Sequence, residues 1–160
     1  MNRLWLGACL EKADYVFLLP NVPILPSAPL DPSFLERPNA AILIELNGNH
    51  WRKIFTIMAK LTAPDYHSWK TFRDDQLFDK VGMVFSCDQL DHYKGTVFIV
   101  GNTFRSAWPV DDRAQSMGYS HHAYVHFPYV WCPYLDYRQF PNVLIEALRE
   151  HILERLCLKY

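Results

Sequence analysis

The stretch VGMVFSCDQLDHYKGTVFIV, residues 81–100, decides how this chain folds. It holds two short, mostly apolar runs, Val81 to Ser86 and Thr96 to Val100. Neither run alternates polar with apolar residues. Each therefore reads as a strand buried on both faces, the pattern of a parallel sheet covered on two sides. Only nine residues, Cys87 to Gly95, join them. A full crossover helix between parallel neighbours takes about ten to twelve residues or more. Either the crossover is trimmed, or the two strands are not parallel neighbours.

Outward from this stretch, Tyr15 to Leu19 (YVFLL) is a third run of the same kind, and a fourth strand lies within His122 to Trp131 (HAYVHFPYVW). Ala40 to Leu46 reads as a strand or as the first turns of a helix. Asn49 is placed to cap a helix over His50 to Leu61, where Trp51, Ile54, Phe55, Met58 and Leu61 form one apolar stripe. Asn142 is placed to cap the last helix. Its buried face is Leu144, Ile145, Leu148, Ile152 and Leu156, and its wet face is Glu146, Arg149, Glu150 and Arg155. A shorter helix runs from Thr71 to Phe78. Strands interleaved with helices predict a single α/β domain over residues 1–160, three layers thick (α/β/α), around a short, mainly parallel four-stranded central sheet. Six prolines between Pro20 and Pro38 forbid regular structure there. That run reads as a stiff loop packed on the body, or as one rim of a pocket.

Composition sets bounds on function. Of 160 residues, 50% are hydrophobic and 15% aromatic, ample for a core. Lys and Arg number 16 against 17 Asp and Glu, a net charge of −1, without the basic excess that usually marks nucleic-acid binding. Cys9, Cys87, Cys132 and Cys157 are scattered, with no C-x-x-C pair, so neither a disulfide framework nor a zinc ribbon is expected. Reduced thiols and a cytoplasmic protein are. The N-terminus is a poor secretory signal, and no apolar run approaches the roughly 18 residues that span a bilayer. Cys157 to Tyr160 has the frame of a prenylation box, which Lys159 and Tyr160 fit badly.

Candidate chemistry is sparse. His121, His122 and His126 suggest a metal, but His122 and His126 on a regular strand stand roughly 13 Å apart, too far to share one. No metal is expected. Asn47-Gly48-Asn49 is a turn that leaves N–H groups outward, and His50 follows in the first helical turn, where anions are favoured. Asp74, Asp75, Asp79 and the pair Asp111-Asp112 read as solvated carboxylates. Ser106 and Ser116 lack a nucleophile elbow, and neither a P-loop nor a G-x-G-x-x-G occurs, so no cofactor is expected.

Read in order, four segments resemble the uracil-DNA glycosylase-like superfamily, nearest its mismatch-specific uracil/thymine branch. Gly48-Asn49-His50-Trp51 is similar to that branch's G-N-x-F-W before an apolar helix. Asp74-Asp75-Gln76-Leu77 leads to Lys80-Val81-Gly82-Met83, similar to its acidic helix and Gly-containing strand. Val97-Phe98-Ile99-Val100-Gly101-Asn102 is similar to its next strand, with Asn102 where Lys is frequent. The likeness spans Asp14 to His151. It implies a parallel sheet in which Tyr15–Leu19 and Thr96–Val100 lie side by side.

Both catalytic motifs of that branch are altered. The first, roughly G-x-N-P-G, matches Pro20-Asn21-Val22-Pro23, which keeps the asparagine and loses the glycines. The resemblance implies that Asn21 would position water. The second, N/M-P-S, matches Cys132-Pro133-Tyr134, with Tyr134 in place of serine and Arg138 in the loop after it. It further implies ligand contacts from Phe34, Asn49, His50, Trp51, Asn102, Tyr134 and Arg138. Two readings of different class follow. One is a glycosylase-like fold that binds a small ligand, or another protein, rather than DNA in the former base pocket. The other is a divergent glycosylase that excises uracil or a mismatched base by water attack.

Overall fold

The apolar runs become the middle of one sheet, because strands with no polar face must be covered on both sides. The computed structural model describes residues 4–26 and 38–158, with side chains through residue 155. Phe34, residues 27–37 of the proline-rich run, and Lys159 and Tyr160 of the C-terminal box lie outside the described residues. The strands are β1 (Leu6–Gly7), β2 (Tyr15–Leu18), β3 (Val81–Val84), β4 (Thr96–Val100), β5 (Gln115–Met117), β6 (Ala123–His126) and β7 (Tyr129–Cys132). The longer helices are α1 (Ala40–Asn47), α2 (Asn49–Thr62) and α3 (Asn142–Leu158). Residues 66–80 coil through short helical pieces, including a π-helical turn at Phe72–Gln76.

The sheet has seven strands, in the order β1-β3-β2-β4-β7-β6-β5, which corrects the expected four. The centre, β3-β2-β4-β7, is parallel. The pairs β1–β3, β5–β6 and β6–β7 are antiparallel. Strands β1 and β5 are two and three residues long, too short to leave a pattern in sequence. The single strand expected within His122 to Trp131 is instead a hairpin, β6 and β7, turning at Phe127-Pro128 with His126 opposite Tyr129. Strand β2 lies between β3 and β4, and because β3 ends at Val84 the link is longer than the nine residues expected: Phe85 to Gly95 pass across β2 with one 3-10 turn, Cys87–Leu90. Strands β2 and β4 are parallel neighbours, Phe17 opposite Phe98.

Side chains leave each strand alternately, so one sheet builds two cores. Phe17, Leu19, Met83, Phe98, Val100, Val130 and Cys132 join one core, which also holds the buried residues of α1, α2, α3 and 66–80. Phe17 stacks on Phe98 at 4.4 Å. Both are fully buried, and each contributes roughly 1.5–3 kcal/mol by leaving water. Val16, Leu18, Val84, Val97, Ile99 and Trp131 point the other way. Among the described residues no α-helix joins this second core. Leu90 of the 3-10 turn covers it, with Trp5, Tyr93, Phe104 and Trp108 packed at its border. Gly82 lets Trp5 cross: a Cβ there would stand 2.7 Å from the Ala8 carbonyl oxygen and 3.0 Å from the Trp5 indole nitrogen.

The helices keep their predicted stripes but not their predicted caps. Trp51, Ile54, Phe55, Met58 and Leu61 are all buried, as are Leu144, Ile145, Leu148 and Ile152, while the Leu156 side chain lies outside those described. Ala40 to Leu46 is helical, capped by Asn39, whose side-chain oxygen accepts from the N–H groups of Ala41 (2.8 Å) and Ile42 (3.3 Å). Asn49 is the first residue of α2 rather than its cap. The cap is Gly48, at φ 84°, because the chain must turn there between two consecutive helices. Asn142 starts α3, and its Oδ1 accepts from Lys60 Nζ at 3.0 Å. Arg149, expected on the wet face, is buried. Its guanidinium donates to the carbonyls of Lys60 (3.1 Å) and Pro64 (3.4 Å), near the end of α2 where orphan carbonyls need donors.

Candidate functional site at the carboxyl ends of the parallel strands

Parallel strands end on the same side of a sheet, and their carboxyl ends form a crevice where successive connections leave in opposite directions. Here that place lies between β2 and β4, since the chain goes from β2 to β3 on one side and then to β4 on the other. Pro20 and Asn21 follow β2, Gly101 and Asn102 follow β4, and Pro133 and Tyr134 follow β7. A cavity of about 320 Å³ lies here, with Pro20, Asn102, Arg105, His122, Tyr124 and Tyr134 in its wall.

Tyr134 organises one side of this crevice. Its hydroxyl oxygen accepts from Asn21 Nδ2 at 3.1 Å and lies 2.8 Å from His50 Nε2. The His50 and Tyr134 rings stack at 5.7 Å, 27° from parallel. Gly101, at φ 72°, passes under the Tyr134 ring, and a Cβ on it would meet the ring at 3.7 Å. Its N–H donates to the Cys132 carbonyl at 2.9 Å, which ties the end of β4 to β7.

Arg105 forms the other side. Its Nε is buried and has no hydrogen-bond partner among the described residues. Its guanidinium carbon stands 5.7 Å from the centre of the Tyr124 ring. Three other arginines are engaged: Arg73 by Asp74 (2.8 Å) and Thr56 (2.9 Å), Arg113 by Asp111 (3.0 Å), and Arg149 by carbonyls. Among the described residues no carboxylate lines the cavity. Nearby, Cys132 is wholly buried, and burial pushes its thiol up to about 12 against the opposing pull of the Arg105 charge. It stays a neutral thiol and is no nucleophile at physiological pH.

Of the residues predicted from sequence, Asn21, His50, Asn102 and Tyr134 come together, although four separate segments carry them. Asn21 and His50 reach the cavity through Tyr134 rather than lining it. Trp51 does not line the cavity: it is 6% exposed and packs on Phe55 at 5.5 Å, as its place in the apolar stripe demands. Asn49 is exposed and outside the cavity wall. Arg138 is also exposed, its backbone N–H donating to Asp136 Oδ1 at 2.9 Å, and does not line the cavity. His122 and His126 part company: His122 lines the crevice, while His126 stands 3.9 Å from Asp111. Asp111 is not merely solvated, because hydrogen bonds from Arg113 hold its carboxyl down at about 2. Among the described residues no three His, Cys, Asp or Glu side chains gather to hold a metal ion, and no helix is long and apolar enough to cross a membrane. Sequence reasoning passed over Arg105 and Gln139, whereas Tyr124 stands among the aromatics near the last strand that it offered as pocket or interface lining. For Arg105 there was one signal: no acidic residue falls between Gly101 and Val110.

The fold and crevice define a mixed α/β domain with a polar cavity at the switch point of a parallel sheet. Within that class the chain belongs to the family described as "Family of unknown function (DUF6942)", whose profile matches residues 6–153. No curated protein and no solved structure matches the chain.

Proposed function

We propose that this protein is a uracil-DNA glycosylase-like domain that does not excise bases and instead binds a small ligand in the crevice between β2, β4 and β7. The observation that carries the reading is the Tyr134 hydroxyl, bonded to Asn21 at 3.1 Å and set against His50 at 2.8 Å. The two positions matched to the altered catalytic motifs meet, which supports the resemblance. They meet by bonding to each other, which supports the loss of the chemistry. The Asn21 amide is engaged by a phenol, and the phenol ring occupies space that a serine would leave open. A cavity of about 320 Å³ falls near the lower limit for small-molecule sites. The second, outer layer of the proposed three-layer arrangement is then the 3-10 turn and the loop from Gly101 to Ala114, in place of a helix.

The net charge of −1 supports the same reading. Of the basic residues on and beside α2, Arg73 is buried and Lys60 half-buried, while Arg52, Lys53 and Lys70 are exposed. Lys60 lies 5.1 Å from the Trp69 and Tyr137 ring centres and donates to Asn142, and Arg73 is buried. A cytoplasmic placement belongs to this proposal too, supported by free thiols at Cys9, Cys87 and Cys132.

The test is incubation of the full chain with uracil- and thymine-mismatch oligonucleotides, with Asn21→Ala as the control. The expected outcome is no base release and no salt-dependent DNA binding. Base release that disappears in Asn21→Ala would establish the glycosylase reading instead.

A further inference from the structure

The crevice carries more chemical detail than its shape. Arg105 brings a fixed positive charge, since a guanidinium does not lose its proton in proteins. Its Nε is buried and unbonded among the described residues, and such a donor costs free energy until something accepts from it. Among the described residues the wall holds no acidic side chain to answer that charge, and Asn102, Thr103, His121, His122 and Gln139 add groups that can donate. Tyr124 stands on Arg105, and Tyr134 lines the same cavity, so two aromatic side chains border the space. Donors gathered around one unanswered cation, beside aromatic faces, match a ligand with a planar or apolar body and one oxyanion.

We propose that Arg105 is the anchor of this crevice and that its ligand is a small molecule bearing a phosphate or carboxylate group. The inference rests on the small-ligand reading above and deepens it. Arg105 takes the oxyanion, His121, His122 and Asn102 are placed to share it, and the body of the ligand lies against Tyr124 and Tyr134. Another cavity, of about 210 Å³ at Lys94, Phe127 and Arg155, supplies an internal control. There too an arginine lies over an aromatic ring, Arg155 at 5.7 Å from the Phe127 centre, but it is exposed.

Calorimetric titration of the full chain with phenyl phosphate, benzoate, inorganic phosphate and neutral benzyl alcohol tests this. NMR shifts of the Gly101 and Tyr134 amides locate the binding. At least one anion is expected to bind in the crevice about tenfold or more tighter than benzyl alcohol. Preference for phenyl phosphate or for benzoate distinguishes a phosphate from a carboxylate ligand. Arg105→Gln should lose about tenfold or more of that affinity, Arg105→Lys should lose less, and Arg155→Gln should lose none. Should Arg105→Gln fail to fold, the wild-type contrast of anion with alcohol, and the affinity of His122→Ala, carry the decision. Benzyl alcohol binding in the crevice as tightly as the anions, or folded Arg105→Gln binding them unchanged, overturns the anchor while leaving the small-ligand reading intact. No shift at Gly101 or Tyr134 with any probe at millimolar concentration overturns both. A single-stranded oligonucleotide that binds there far tighter than every small anion overturns the small-molecule class.

Discussion

The two faces of the sheet are buried equally well and built differently. On one, helices α1, α2 and α3 lay regular stripes over Phe17, Phe98 and Val100. On the other, a single 3-10 turn and irregular loops cover Val16, Val97, Ile99 and Trp131. The loop-covered face depends on individual anchors. Trp131 Nε1 donates to the Trp108 carbonyl at 3.1 Å, and Trp108 meets Tyr129 edge-on at 5.0 Å. Gln89 binds the 3-10 turn to the strand end, accepting from the N–H groups of Phe85 (3.0 Å) and Ser86 (3.1 Å) while donating to the Leu4 carbonyl (2.9 Å). A helix distributes its hold over a dozen contacts, whereas a loop concentrates it in a few. The loop-covered face is therefore the one that opens locally, by the general link between few anchors and low local stability.

The largest effect that can break this comparison is a pair of core truncations. Phe98→Ala on the helical face should cost about 3–5 kcal/mol in urea unfolding, because the rigid helices cannot settle into the cavity. Leu90→Ala on the other face should cost about 2 kcal/mol, the low end of its class, because the short turn can move inward. Equal costs would mean that the loop cover is as rigid as the helical one.

Thiol labelling is the next test. Cys132 belongs to the helical face and Cys87 borders the loop-covered face. In native buffer the exposed Cys9 should react first, then the half-buried Cys87, helped by local opening of its face, and Cys132 only on global unfolding. Mass spectrometry after timed alkylation should place Cys87 about a hundredfold or more ahead of Cys132. Matching rates would mean that the two faces open together.

The smallest effect is an alkaline slope. Burial raises the Cys132 thiol from 9.0 to about 12, so the folded protein holds this proton more tightly than the unfolded chain. Its contribution is fully present below pH 9.0 and is lost as pH rises toward about 12. The loss reaches at most about 1.4 kcal/mol per pH unit. Urea midpoints measured on either side of that threshold should fall less steeply in Cys132→Ala than in the wild type, even though the variant is less stable at neutral pH.

The same contrast explains what was legible in sequence. The helical face could be read because its stripes repeat with the period of a helix, from Trp51 to Leu61 and from Leu144 to Ile152. The central strands could be read because buried parallel strands are continuous apolar runs. Hairpin β6–β7 was hidden for that very reason: its apolar run continues through Pro128 and masks the turn. Strands β1 and β5 are too short to carry a period, and Gly48, not an asparagine, caps α2 because two helices abut there. In the site, Asn21, His50, Asn102 and Tyr134 were reached through a resemblance in segment order. Arg105 was missed because the loop that carries it has no period. Its importance comes from what stands near it in space, and only the absence of acidic neighbours hinted at that.

The bond between Asn21 and Tyr134 joins residues 113 positions apart, and the contact of Tyr134 with His50 spans 84. Closures of that span are slow to form, because chain entropy is lost long before such contacts repay it. The crevice is therefore completed only when nearly the whole polypeptide has been threaded into place. The crevice thus reports on the integrity of the entire molecule: a nascent or nicked chain could display finished helices and still lack a finished crevice.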